Sequence, residues 1–182
     1  MRGDTRLKTM PDRSSPRSDH DPLPAPGRKA NEAVRQAAVD RTGIVKRRGE
    51  PVLQHIVEQA ARDYGVPVAL ISIVDRRREF FAARTGMDAD EVPRKNALCL
   101  HAVKCPGEPV IAVDARTDRR FAANPCVTGP PYIRFYAGVP LLDRAGYALG
   151  ALCVMDTKPR DSAPSLFNLI RLAREAERMI DR

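Results

Sequence analysis

The stretch "YIRFYAGVPLLDRAGYALGALCVMD", Tyr132–Asp156, decides the fold. Two apolar runs flank the turn signal "DRAG", Asp143–Gly146, so the segment reads as a β-hairpin. Strand alternation places Ile133, Phe135, Ala137, Val139 and Leu141 on one face. Arg134, Tyr136, Gly138 and Pro140 fall on the other. The first set suits a helix-covered core, and the second suits the wall of a partly enclosed cavity. Tyr136 is a candidate pocket-lining residue. Arg134 has two readings: a planar clamp for an anionic group, or a partner for a local acid, Asp114 or Asp118, that ties a loop to the sheet.

A second hairpin lies upstream. "VPVALISIVD", 66–75, is a continuous apolar run rich in β-branched residues, as expected of a central strand buried on both faces. Three arginines follow Asp75 in a turn, and "EFFAAR", 79–84, returns as the next strand. "PVIAVD", 109–114, reads as one more strand. "ARTDRRFAANP", 115–125, holds a short helix between turn signals. Asp118, Arg120, Phe121 and Asn124 read as a turn-and-cap unit.

Helical spacing appears at both ends. After Asn31 as N-cap, Ala33, Val34, Ala37 and Ala38 form one stripe. In "PVLQHIVEQAARDYG", 51–65, apolar pairs recur every four residues between Pro51 and Gly65. In the last helix, Leu166, Leu169, Ile170, Ala173, Ala176 and Ile180 share a face, with Phe167 and Leu172 off that seam. Hairpins with helices packed on them define an α+β antiparallel sheet.

Composition sets limits. The first 29 residues hold five of the sixteen prolines and few large apolar side chains, so a disordered Pro/Arg-rich tail is expected there, followed by a single domain over 30–182. No apolar run is long enough to span a bilayer, and the N-terminus lacks a signal-peptide h-region, which predicts a cytoplasmic protein off the membrane. The four cysteines, Cys99, Cys105, Cys126 and Cys153, are then expected as thiols. The net charge is +8, of which +3 lies in the tail, where seven basic residues face four acidic ones. The remainder is scattered and not interleaved with aromatics, so nucleic acid is not the expected partner.

One cluster, "ALCLHAVKC", 97–105, is expected on a short helix from about Asn96 to Val103. His101 and Cys105 stand four residues apart and share a face if that helix extends far enough. A metal site needs further ligands, and no second Cys/His pair has the spacing, so no metal is expected. Cys99, between two leucines, reads as a small buried hydrophobe. His101 reads first as a hydrogen-bonded structural residue, yet it stands with Cys99, Asp114, Arg134 and Tyr136 among the candidate pocket residues. No catalytic residue is assigned.

The runs "GVPVALISIVDRRREFFAARTG", "LCLHAV", "VDARTDRRFAANPCVTGPPYIRFYAGVPL" and "GYALGALCVMDTKPR" together resemble the GAF domain, over about residues 32–180. Leu98 departs from the aromatic residue usual there. The resemblance implies five or six antiparallel strands, with the N- and C-terminal helices on one face and a small-molecule pocket on the other. It implies a sensory module of the kind found in bacterial regulators, in which terminal helices often pair across a dimer. No output domain follows the last helix before Arg182, so the expectation is a stand-alone, non-catalytic module. It would bind an unknown small molecule or a protein partner and signal through a homodimer or a separate output protein, with cofactor unknown. Two alternatives stand beside it. One is a thiol-dependent free methionine sulfoxide reductase, since one branch of this fold has that activity. The other is a pocketless dimerisation adaptor.

Overall fold

The computed structural model describes residues 31–182, so the expected tail over 1–29 lies outside the described residues. Six strands form one sheet: β1 (Val68–Val74), β2 (Arg78–Thr85), β3 (Glu91–Pro93), β4 (Val110–Ala112), β5 (Phe135–Leu142) and β6 (Ala148–Asp156). Their spatial order is β3-β2-β1-β6-β5-β4, and every neighbouring pair is antiparallel. Both expected hairpins form, and every residue of β1, β5 and β6 is buried. β3 is a three-residue edge strand.

Three helices cover one face: α1 (Glu32–Thr42), α2 (Pro51–Tyr64) and α5 (Phe167–Ile180). α2 follows its sequence closely. Leu53, Ile56, Val57 and Ala60 are buried, Pro51 opens the first turn, and Gly65 closes the helix in the left-handed conformation. The other two differ from the sequence pattern. In α1 the side chains of Arg35, Gln36, Ala38 and Val39 face inward, while Ala33, Val34 and Ala37 face solvent. The inward turn of Arg35 has a clear cause. Its guanidinium donates to the carbonyls of Val74 (2.6 Å) and Ala148 (3.2 Å) and pairs with Glu32 (2.8 Å), so the charge is fully satisfied against the sheet. In α5, Leu172 is 3 % exposed and belongs to the core, whereas Phe167 is 75 % exposed.

The opposite face is covered by a small helix, α3 (Leu100–Lys104), by α4 (Pro125–Thr128) and by irregular chain between them. α3 is shorter than expected, because Arg94–Asn96 form a separate 3₁₀ turn. Cys105 leaves helical geometry at φ −121° and ψ 68°, so the His101–Cys105 face never forms. No helix forms over 115–124 either. Asp114 and Asp118 each accept the backbone N–H two residues on, at 3.0 and 2.9 Å, which diverts the backbone into Asx turns. The helix starts only at Pro125, capped by the Asn124 side chain.

Candidate functional site

Two cores sit back to back through the sheet, and the site lies in the second. Alternation sends Phe135, Ala137, Val139 and Leu141 into the helix-covered core and Tyr136 to the far side. Ile133 precedes β5 and joins the far side, contrary to the alternation read from the sequence. On that side β1 contributes Val68 and Leu70, β2 contributes Phe81, and β6 contributes Ala151, Cys153 and Met155. The chain through Leu98, Cys99 and Ala102 closes over them.

Under this cover is a cavity of about 30 Å³, lined by Leu70, Glu79, Phe81, Asn96, Cys99 and Cys126 among others. That volume suits one water-sized molecule. A wider cleft of about 840 Å³ opens on the surface around Gln36, Asp40 and Arg76–Arg78. Its charges largely answer one another: Arg78 pairs with Asp75 at 3.1 Å, and Arg76 lies 4.0 Å from Asp40. We place the site under the chain at Asn96, Leu98 and Cys99, where buried polar atoms are left poorly paired.

The first of these is Glu79. It is 3 % exposed, and its Oε1 has no hydrogen-bond partner. Burial raises its pKa above the carboxylate norm, and the nearby Cys99 thiol and Ser72 hydroxyl offset that only in part. A bulge between Ile71 and Ser72 in the β1–β2 ladder shifts the register here, and Ala82, the residue it leaves unpaired, gives its carbonyl to the N–H of Gly49 at 2.8 Å. The second is Tyr136, wholly buried, its hydroxyl near the Cys99 thiol but without a hydrogen bond of good geometry. Burial pushes its pKa up. Its ring lies over Gly138, where a Cβ would stand 2.8 Å from Tyr136 Cζ and closer still to the hydroxyl, so only glycine leaves room. Phe121 packs on Tyr136 with ring centroids 5.1 Å apart.

The five residues singled out from the sequence separate into two groups. Cys99 and Tyr136 meet in the far-face core, and Cys99 Sγ stands 3.4 Å from Cys153 Sγ. Burial is the main reason the Cys99 thiol titrates well above its ordinary value. His101 borders this group through an edge contact of its ring on Phe121 at 4.9 Å. Half-burial lowers its pKa, so it favours the neutral imidazole. Asp114 and Arg134 stay outside. Asp114 pairs with Arg116 (2.6 Å), whose guanidinium holds the carboxyl at about 2. Arg134 Nη1 donates to the carbonyls of Val127 (2.8 Å) and Ile133 (3.1 Å). It therefore ties α4 to the sheet through carbonyls, with neither acid as its direct partner. Among the described residues no group of three potential ligands is placed to hold a metal ion.

Glu79 and Cys153 escaped the sequence reading. Both lie within apolar strand sequence. Only alternation from Phe80 would have turned Glu79 inward with Phe81.

Residues 48–176 match the GAF domain family. The chain belongs to that family. Among curated proteins, the GAF chain is 42% identical over 130 residues to "Cyclic di-GMP phosphodiesterase PA2567" of Pseudomonas aeruginosa. The alignment covers 71% of this chain and 22% of that protein, so the chain spans about a fifth of its relative's length. Among solved structures, the GAF domain of an Acinetobacter phosphoenolpyruvate-protein phosphotransferase superposes with a TM-score of 0.55 at 19% identity, covering 84% of this chain and 94% of that one. The free methionine-R-sulfoxide reductase of Neisseria meningitidis, solved with its substrate, gives 0.57 at 16% identity, covering 86% and 93%. At such identities the structural likeness speaks for the fold alone. Among the described residues no helix is long and apolar enough to cross a membrane.

Proposed function

We propose that this GAF domain is a regulatory, non-catalytic module that takes a small molecule between the sheet and the 94–104 cover. The carrying observation is the cavity with an unpaired buried carboxyl oxygen at Glu79. A buried acceptor without a donor is costly, and a ligand N–H or O–H removes that cost. At about 30 Å³ the cavity is small for an organic ligand, so binding requires the cover at Asn96, Leu98 and Cys99 to lift. The likeness to one section of a larger cyclic di-GMP phosphodiesterase supports a regulatory role.

The signal leaves, in this reading, through the outer faces of α1 and α5. Ala33, Val34 and Ala37 present small apolar side chains to solvent, and Phe167 stands exposed at the start of α5. They suit a two-fold homodimer or a separate output protein. Native mass spectrometry of the protein purified from its own host tests both parts at once. A retained small molecule on a dimer is the expected result. A ligand-free monomer that also gains no thermal stability across a metabolite panel would refute the proposal.

Reduction of free methionine sulfoxide is the second reading, favoured because Cys99 and Cys126 border the same cavity. Against it stands the cavity itself, which at about 30 Å³ is far too small for methionine sulfoxide beside Cys99. The adaptor reading would need no pocket at all and would leave the unpaired Glu79 without a purpose.

A further inference from the structure

We infer that Cys99 and Cys153 form a peroxide-oxidisable dithiol, with Cys99 as the sulfur attacked first and Cys153 as the resolving sulfur, so that oxidation staples the pocket cover to the centre of the sheet.

The geometry carries this. The two sulfurs lie 3.4 Å apart, close enough that a bond between them needs a shift of little more than 1 Å. Cys99 sits where the cover enters α3, and Cys153 sits in the middle of β6, opposite Gly138 on β5 and Leu70 on β1. Only one of the pair borders the cavity: Cys99 lines it and Cys153 does not. The cavity of about 30 Å³ brings a water-sized space up to Cys99 and stops short of Cys153, so peroxide entering as the cover opens meets Cys99 first. Glu79 lines the same space and lies beside the Cys99 thiol. A carboxyl whose pKa burial has raised is a stronger base than an exposed one.

Two steps follow. The Cys99 sulfur attacks one oxygen of hydrogen peroxide and the O–O bond breaks. The thiol proton passes to Glu79 and then to the departing hydroxide, giving Cys99 sulfenic acid and water. The Cys153 sulfur then attacks the Cys99 sulfur, and the S–O bond breaks. Hydroxide leaves with the Cys153 proton as a second water. Two thiols are oxidised to one disulfide, and one peroxide is reduced to two waters. Both sulfurs are buried, at 1 % and 0 % exposure, so the first step waits on opening of the cover. The pair therefore reports on that opening as well as on oxidant.

Peptide mapping of the full chain after hydrogen peroxide treatment and thiol alkylation tests the inference. Exposed Cys105 serves as the internal measure of oxidant delivery. The expected product is a Cys99–Cys153 linked peptide, lighter by about 2 Da than the two thiol peptides. Cys153→Ser should leave Cys99 as a sulfenic acid that dimedone traps, and Cys99→Ser should leave Cys153 unoxidised. Glu79→Gln should slow the first step by at least about tenfold. Complete oxidation of Cys105 with Cys99 and Cys153 still alkylated overturns the inference. So do a preferred Cys99–Cys126 link, dimedone capture at Cys153 in Cys99→Ser, and an unchanged rate in Glu79→Gln. The two serine variants replace a thiol by a hydroxyl of similar size, so they carry the test even where the Glu79 variant fails to fold.

Discussion

Replacing Tyr136 by phenylalanine should stabilise this domain, although Tyr136 is among its largest fully buried side chains. The hydroxyl is sealed from solvent with only the Cys99 thiol, a weak partner out of good hydrogen-bond geometry, beside it, and leaving such a group unpaired costs about 1–3 kcal/mol. Removing one oxygen opens a void of no more than about 15 Å³, which at about 24 cal/mol per Å³ costs roughly 0.4 kcal/mol. The balance is a gain of about 0.6–2.6 kcal/mol, or about 1–10 °C in melting midpoint at 2–4 °C per kcal/mol for a domain of this size. Gly138 provides the control. A Cβ at 138 would meet Tyr136 Cζ at 2.8 Å and Cε1 at 3.0 Å, and overpacking of that kind costs about 1–3 kcal/mol. Gly138→Ala should therefore destabilise, and by less in the Tyr136→Phe background, where the atom nearest the new methyl is gone. The two sites touch, so the double-mutant cycle should show coupling. Differential scanning calorimetry of the four proteins decides the matter. A Tyr136→Phe midpoint lower by 3 °C or more, with additive single effects, would refute the reasoning and give the hydroxyl a bonded partner.

Glu79→Gln should raise stability at neutral pH. The folded-state pKa of Glu79 is raised, so its protonated form is favoured on folding and its contribution is lost as pH climbs from the ordinary value of 4.5 through the raised one. The variant's advantage in thermal melts should thus be present at pH 8 and vanish by pH 4, and an advantage that grows on acidification sinks the idea. Glu32 gives the opposite slope. The guanidinium of Arg35, and beyond it that of Arg94, holds its carboxyl at about 2, so its contribution is complete above 4.5 and lost as pH falls towards 2; Glu32→Gln should flatten the acid limb of a stability–pH curve. Leu172→Glu should unfold the protein by circular dichroism, because Leu172 is core, whereas Phe167→Glu should keep the fold and shift sedimentation equilibrium towards a mass near 20.1 kDa. A dimer unaffected by both Phe167→Glu and Val34→Glu would move the interface elsewhere. Free methionine sulfoxide with a thioredoxin-type reductant should show no turnover, because the cavity at Cys99 is far smaller than that substrate; turnover abolished by Cys99→Ser would establish the enzymatic reading instead.

Most of the architecture is written in local sequence pattern. Two hairpins, helix α2 with both its ends, and the antiparallel α+β sheet are legible because period-two and period-3.6 apolar patterns, Pro51 and Gly65 act locally. Cys99 and Tyr136 were legible as inward-facing for the same reason. Contacts between partners distant in sequence follow from the packing of the whole domain. Arg35 turns inward because Val74 and Ala148 offer it carbonyls 39 and 113 residues away, and that rotates the Ala33/Val34/Ala37 stripe to solvent. Arg134 finds carbonyls of α4 instead of Asp114 or Asp118, each of which is taken by the arginine two residues after it. Cys99 meets Cys153 across 54 residues, and Glu79 enters the same space from another strand. A local pattern records which side of an element is apolar. It does not record which buried polar groups will find one another, because that depends on how separate strands and the cover come together in space.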